Sequence, residues 1–342
     1  MTAPTINPIG PNSTLNSSSS LPQAFHGKAN RPVPRPKHPK PIKAPELGPG
    51  DSIGAGDSYL VTNLLPDDLA ETAFEMLKEE VRWETMFHRG GEVPRLVAVE
   101  GEVSEDGSFP VYRHPADESP ALSQFTPTVA QIRDHVQKVI KHPVNHALIQ
   151  YYRSGKDYIS EHSDKTIDVV RGSNIVNVSL GAQRVMTLRM KKDKEKEKAR
   201  SQPADAKQQH HTPRPAQRVP LPHNSMFVMG ASTNAQWLHG INHDNRPLHT
   251  KSPSEQLHSG GRISLTFRHI GTFLSSDEKL IWGQGGKGKT REEARRVVNG
   301  GRETERLIWA FGEENQRADF DWVGIYGEGF DVLHFKEARE ES

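Results

Sequence analysis

From Arg262 to Arg268 polar and apolar side chains alternate without a break, with Ile263, Leu265 and Phe267 on one parity and Arg262, Ser264, Thr266 and Arg268 on the other. Period-two patterning of this kind predicts a strand with one apolar and one polar face. A polar face carrying two arginines is either the solvated side of a surface strand or the lining of a site. The neighbouring patterns bear on which. Ala147 to Tyr152, Tyr158 to His162, Ile175 to Leu180, Val185 to Met190, Ser225 to Met229 and Ala235 to His239 are all short runs that read as strands. Tyr59 to Thr62 reads as a first strand, and Pro66 with Asp67 and Asp68 opens a helix carrying Leu69, Ala73, Met76, Leu77 and Val81. A second helix opens at Thr126-Pro127, with Val129, Ile132, Val136, Val139 and Ile140 as its apolar stripe before His142-Pro143 ends it. Helices followed by a run of strands predict an α+β domain whose sheet is a double-layered jelly-roll barrel, a double-stranded β-helix. Such barrels hold a small site in the mouth between their two sheets.

The chain has 17 histidines, and His162 is the one followed two residues later by an aspartate, Asp164. On an extended strand residues two apart share a face, so both can approach one ion while Ser163 points away. His239 is a third candidate ligand. Two imidazoles and a carboxylate with the remaining positions open suit non-haem Fe(II), although zinc hydrolases use similar ligand types. Taken alone, the triplet also reads as a solvated loop. The arginine strand adds an anion site: its two arginine Cα atoms lie about 20 Å apart, a gap that two guanidinium arms and a small dicarboxylate fill. Arginine matches a carboxylate bidentately. If the polar face lines a barrel interior, a dianion such as 2-oxoglutarate is the natural occupant.

With no cysteine in 342 residues, disulfides and thiolate metal sites are excluded and every metal ligand is a nitrogen or oxygen donor. The 25 prolines and 28 glycines imply that much of the chain is not core. The expected organisation is a disordered Pro/Ser-rich basic tail over 1–57, one domain over 58–275 with a charged insertion at 191–217, and a C-terminal extension over 276–342. No apolar run approaches a bilayer span, so a soluble intracellular protein of nucleus or cytoplasm, without membrane contact, is expected. Residues 1–45 contain no acidic side chain, and Arg31 to Lys43 is a proline-spaced basic run that reads as an extended tail, an import signal or a loose grip on phosphates.

Several segments in order resemble the AlkB-like Fe(II)/2-oxoglutarate dioxygenases: Val93-Pro94-Arg95, Ala147 to Tyr152, His162-Ser-Asp164, Val178 to Arg184, Met226 to Gly230, Trp237-Leu-His-Gly-Ile241 and Arg262 to Arg268. The resemblance covers roughly residues 58 to 272. It implies that His162, Asp164 and His239 hold Fe(II), with His243 the rival third ligand outside the matching segment. It further implies that Arg262 pairs with the distal carboxylate of 2-oxoglutarate and that Arg268 and Tyr152 complete the pocket, with O2 as second co-substrate. Gln150 and Ser264 stand where the family usually has asparagines, and both still hydrogen-bond. The implied activity is oxidative dealkylation of N-alkylated nucleobases in DNA or RNA, so nucleic acid is the expected partner and no stable protein partner is inferred. A base flipped from a duplex needs flat side chains to stack on, and Trp83, Phe87 and Tyr112 are candidates. A hydroxylase or demethylase of a small metabolite or protein is the alternative, and a non-catalytic nucleic-acid-binding module is a more remote one.

Gly283 to Thr290 satisfies the phosphate-loop pattern G-x-x-x-x-G-K-T, but the acidic strand that should accompany it is missing. Thr290-Arg-Glu-Glu293 instead reads as a capping box opening a helix over 291–298 that Asn299-Gly300 ends. The aromatics Phe311, Phe320, Trp322, Tyr326 and Phe330 predict an ordered extension. His210 and His211 read as solvated, and 242–261 as a surface loop or lid.

Overall fold

In the computed structural model, residues 44–88, 91–115, 119–192 and 214–333 are described. The basic run Arg31 to Lys43, His210 and His211 lie outside them. Two sheets form the body. The larger has the order Tyr59–Thr62, Ser225–Met229, Ile175–Gly181, Arg262–Arg268, His146–Tyr152, Leu96–Gly101 and Leu122–Gln124. Its pairs are antiparallel except the last. The smaller has the order Ala216–Leu221, Arg184–Met190, Trp237–Ile241 and Ile159–His162. This is the expected jelly-roll arrangement.

The alternation of the arginine strand explains how the layers stack. Ile263, Leu265 and Phe267 are wholly buried in a core shared with Phe74 and Leu77 of helix Asp67–Glu80 and with Val129, Ile132 and Val136 of helix Pro127–Ile140. Both helices lie on the outer face of the large sheet, as their apolar stripes require. The Pro127–Ile140 helix has no side-chain cap of its own. Carboxylates from elsewhere satisfy its first amides: Glu100 accepts from Thr126 N at 2.9 Å and Glu80 from Thr128 N at 2.9 Å. The opposite parity of the arginine strand faces the small sheet, whose Met186, Leu188, Trp237 and Ile241 pack with Phe227, Met229 and Tyr152 of the large one.

Three boundaries differ from expectation. The tail does not extend to residue 57: Glu46 bridges to Arg218, Leu47 N donates to Arg218 O at 2.8 Å, and Ile53 is buried in the inter-sheet core. Its apolar residues have a sheet edge to pair with, which composition does not reveal. The run expected as a strand from Ala235 starts instead as helix Ala231–Gln236, with Asp57 accepting from Ser232 N and Thr233 N. Ala216 and Gln217, counted with the insertion, belong to a strand that pairs along Arg184–Met190.

The helix expected over 291–298 is absent. Arg295–Arg296 pairs with Leu280–Gly283, and Val298 bridges to Val332. Sheet partners thus override the local capping pattern, since β-branched Val297 and Val298 suit a pleated surface as well as a helix. The glycine-rich turn before it is filled by the protein itself: Lys287 N donates to Asp331 and Lys289 Nζ to Gly286 O at 2.7 Å. Helix Gly301–Gln316 follows, and Leu307, Ala310 and Phe311 pack with Ile167, Tyr326 and Phe330 as a separate small core.

Candidate metal centre and co-substrate pocket

His162 ends one strand of the small sheet, and His239 is its direct partner on the neighbouring strand. Cross-strand pairing therefore sets the two rings side by side, with centroids 4.4 Å apart. Asp164 follows two residues after His162, and its Oδ1 lies 3.9 Å from Nε2 of each imidazole. One ligand atom from each of the three falls within 4.8 Å of the others. His162 Nδ1 contacts Ser160 O at 2.8 Å, which fixes Nδ1–H as the donor and leaves Nε2 for a ligand role. His243, the rival, is exposed and packs edge-on against Tyr158.

Electrostatics prepare these groups. Burial, and then the neighbouring His239, lower the His162 pKa to about 3. Burial likewise lowers His239, and His146 falls well below the ordinary imidazole value for the same reason. Burial alone would raise Asp164, but Arg268, His239 and His162 together outweigh it and hold the carboxyl well below the usual range. Arg268 Nη2 donates to Asp164 Oδ2 at 2.8 Å and Nε at 3.2 Å, so Oδ1 is left facing the histidines. Neutral imidazoles and an ionised carboxylate are the forms that bind metal.

These shifts have a measurable consequence. An imidazole whose folded pKa lies below its unfolded value of about 6.5 leaves stability intact above that pH and removes it as pH falls, because only the unfolded chain then takes up the proton. Metal-free protein should therefore unfold at a lower temperature at pH 5.5 than at pH 7.5, and His162→Ala should flatten the dependence. A midpoint that does not move over this range means that the imidazoles are solvated.

A cavity lies between the sheets, and His162, Asp164, His239, Tyr152, Gln150, Arg262, Ser264 and Arg268 all line it. Arg262 is 1 % exposed, yet its Nε and Nη1 have no hydrogen-bond partner among the described residues. Its Nη2 reaches Ser179 Oγ at 2.8 Å and Asn177 Oδ1 at 3.1 Å. A buried guanidinium with two unmatched donors aimed at a cavity fits a carboxylate ligand. Arg268 Nη1 is also unpartnered. The Gln150 amide, with its oxygen turned toward Arg95, accepts from Nε at 2.9 Å and gives its NH2 to the Tyr152 hydroxyl at 3.3 Å.

Sequence reasoning missed Asn177 and gave Arg95, present in a matching segment, no role. Asn177 Nδ2 donates to Ser264 Oγ at 2.7 Å and to Thr266 Oγ1 at 3.0 Å, tying the polar faces of two strands together. The signal was there: Asn177 and Ser179 are polar at alternate positions of a run whose other residues are apolar. Of the three aromatic candidates, Tyr112 packs on the residue that holds Asp164, its ring 3.9 Å from the Arg268 guanidinium carbon, and it does not line the cavity. That contact orients Arg268, so Tyr112 is not a free stacking plate. Trp83 packs on Tyr151 in the helix-facing core and donates to Lys78 O. Phe87 is 37 % exposed on the short strand Phe87–His88, and neither lines the cavity.

A model of the 2OG-Fe(II) oxygenase superfamily matches residues 57–268. The chain belongs to that superfamily. It is an AlkB-like dioxygenase whose cofactor is Fe(II) and whose co-substrates are 2-oxoglutarate and O2, and the His-Asp-His cluster and the arginines on the cavity wall suit that set. The human DNA oxidative demethylase ALKBH2 is 28 % identical over 208 residues, covering 59 % of this chain and 69 % of the relative. Its Arabidopsis thaliana counterpart is 27 % identical over 241 residues, or 68 % and 72 %. The bovine alpha-ketoglutarate-dependent dioxygenase alkB homolog 3 is 25 % identical over 205 residues, covering 59 % of this chain and 62 % of that protein. Among solved structures, that of OsALKBH1 aligns at 15 % identity with a TM-score of 0.39, over 62 % of this chain and 98 % of that one. No helix among the described residues is long and apolar enough to cross a membrane.

Proposed function

We propose that this dioxygenase removes alkyl groups from N-alkylated bases of DNA or RNA, with His162, Asp164 and His239 as iron ligands and Arg262 as the anchor of 2-oxoglutarate. The observation that carries the reading is the convergence of the triad and an unpaired buried guanidinium on one cavity, in a chain similar to proteins named DNA oxidative demethylases. When bound, the iron would activate O2, the oxidant, one of whose oxygen atoms would enter succinate as 2-oxoglutarate is oxidised with loss of CO2 and the other a C–H bond placed beside the site. An N-methyl group hydroxylated in this way is released as formaldehyde. This chain's own contribution is geometry and exclusion of water. Arg268 turns Asp164 Oδ1 toward the imidazoles, Ser160 fixes the His162 tautomer, and Gln150, Tyr152, Asn177 and Ser264 surround the arginine that would take the distal carboxylate.

Purified protein with Fe(II) and 2-oxoglutarate should release formaldehyde from oligonucleotides carrying 1-methyladenine or 3-methylcytosine. No turnover on a panel of methylated single- and double-stranded DNA and RNA would remove the proposal. Gln150 and Ser264 in place of the usual asparagines favour a second reading, a hydroxylase or demethylase of a small metabolite or protein. Succinate formation stimulated by the small-molecule fraction of a cell extract, but not by any oligonucleotide, would select it.

A further inference from the structure

The loop that carries Asp164 leaves the small sheet after His162, and among the described residues no strand pairs with it. Its backbone amides must be satisfied in another way. Four successive amides are each taken by a side chain from a distant part of the chain. Ser163 N donates to Asn315 Oδ1 at 2.9 Å, Asp164 N to Asn234 Oδ1 at 2.9 Å, Lys165 N to the Tyr112 hydroxyl at 3.1 Å, and Thr166 N to Glu314 Oε1 at 3.0 Å. Two of the four acceptors come from helix Gly301–Gln316, which lies wholly outside residues 57–268 matched by the superfamily.

The grip of that helix goes further. Asn315 Oδ1 also accepts from Lys165 Nζ at 3.2 Å, and Glu314 Oε1 from the Thr166 hydroxyl at 2.5 Å. Glu314 is itself held: Tyr326 donates to its Oε2 at 2.9 Å, and Lys191 Nζ to its carbonyl at 2.7 Å. The next loop residue, Ile167, is fully buried against Leu307, Phe311 and Tyr326. Asp168 is then bound by Arg113, which reaches on to the carbonyls of Phe330 and Val332. From Ser163 to Asp168 the C-terminal extension thus contacts, directly or through Arg113, most of the segment that sets where the Asp164 carboxylate stands.

We propose that the C-terminal extension is part of the metal centre's support, and that Asn315 and Glu314 are positioning residues that fix the Asp164 loop for iron binding. The inference rests on the assignment of Asp164 as a ligand. Partners that orient metal ligands typically change affinity by about 10- to 100-fold when removed, and that range is expected for Asn315→Leu. Asn315→Asp keeps an oxygen acceptor where Ser163 N and Lys165 Nζ need one, and should restore affinity to within about threefold of wild type, well short of that loss.

The test uses the full chain titrated with Co(II), read by visible absorption, and with Fe(II) under nitrogen, alongside thermal unfolding of each metal-free variant. The expected result is weak binding and an altered Co(II) band in a folded Asn315→Leu protein, with rescue by Asn315→Asp. Wild-type affinity and band in Asn315→Leu, when Asp164→Ala has lost binding, overturns the inference alone. Undiminished binding by Asp164→Ala overturns the ligand assignment and the inference with it. If Asn315→Leu does not fold, Thr166→Val, which deletes one hydroxyl contact to Glu314, takes its place. A several-fold loss then supports the inference and an unchanged affinity rejects it.

Discussion

Asp164→Ala is expected to abolish oxidation and to weaken the metal-free fold, two effects that a ligand with no other partner would not combine. Loss of the metal removes several kcal/mol of transition-state stabilisation, so turnover should fall by at least about 10^3-fold. The stability effect comes from Arg268. Asp164 and Arg268 are 3 % and 2 % exposed and form an ion pair at 2.8 Å. Among the described residues Arg268 Nη1 already lacks a hydrogen-bond partner, and in the variant Nε and Nη2 lose the carboxylate, leaving the charge beside Tyr112 without a counter-ion from Asp164. Removing one member of a buried pair typically costs about 3–5 kcal/mol because the other charge is left uncompensated.

His162→Ala is the control, since it deletes a ligand and leaves the ion pair whole. It should lose turnover without the drop in metal-free stability at neutral pH. Adding Arg268→Met to Asp164→Ala should recover much of the stability and none of the activity, a coupling that a double-mutant cycle measures. Denaturant unfolding of metal-free Asp164→Ala that matches wild type would show that Arg268 finds solvent and that the pair is not the strut described here.

What could be read from the sequence follows from where the physics is local. Strand periodicity put Arg262 and Arg268 on one parity but left open whether that face is solvated or lines a site, and the two-residue spacing put His162 and Asp164 within reach of one ion although the strand ends at His162. The pairing of His239 with His162 joins residues far apart in sequence, so no window of sequence contains it; it entered through resemblance. Asn177 was written into an alternating strand and overlooked because its neighbours suggested core. The side chains that tie down the Asp164 loop left no local trace. Asn315 sits on a helix whose apolar stripe says only that it packs somewhere, and nothing in Glu314 marks it as an acceptor for Thr166. The helix wrongly expected over 291–298 has the same origin, since a capping box is a local preference and the strand Leu280–Gly283 that overrode it is a tertiary partner.

Arg262→Met should separate co-substrate binding from folding. Burial lowers the Arg262 pKa to about 10, so the side chain stays charged at neutral pH, and among the described residues no carboxylate forms an ion pair with it. Nη2 has the Asn177 and Ser179 oxygens, while among the described residues Nε and Nη1 have no hydrogen-bond partner, the guanidinium lying 5.2 Å from the Tyr152 ring centre. A buried charge with two unmatched donors costs stability in the empty protein, and replacing it by an apolar side chain of similar length is expected to leave metal-free stability unchanged or raise it. The same change should weaken 2-oxoglutarate binding by at least about 30-fold, the factor that corresponds to about 2 kcal/mol for a lost buried charge contact. With Mn(II) in place of iron to prevent turnover, 2-oxoglutarate at 100 times its dissociation constant should stabilise the wild-type fold by about 2.7 kcal/mol, and the variant by far less at the same concentration. Arg262→Lys keeps the charge but not the fork and should fall between them. A full 2-oxoglutarate-dependent shift in Arg262→Met would mean that the distal carboxylate is held elsewhere, with Arg268 Nη1 the next unpaired donor on the cavity wall.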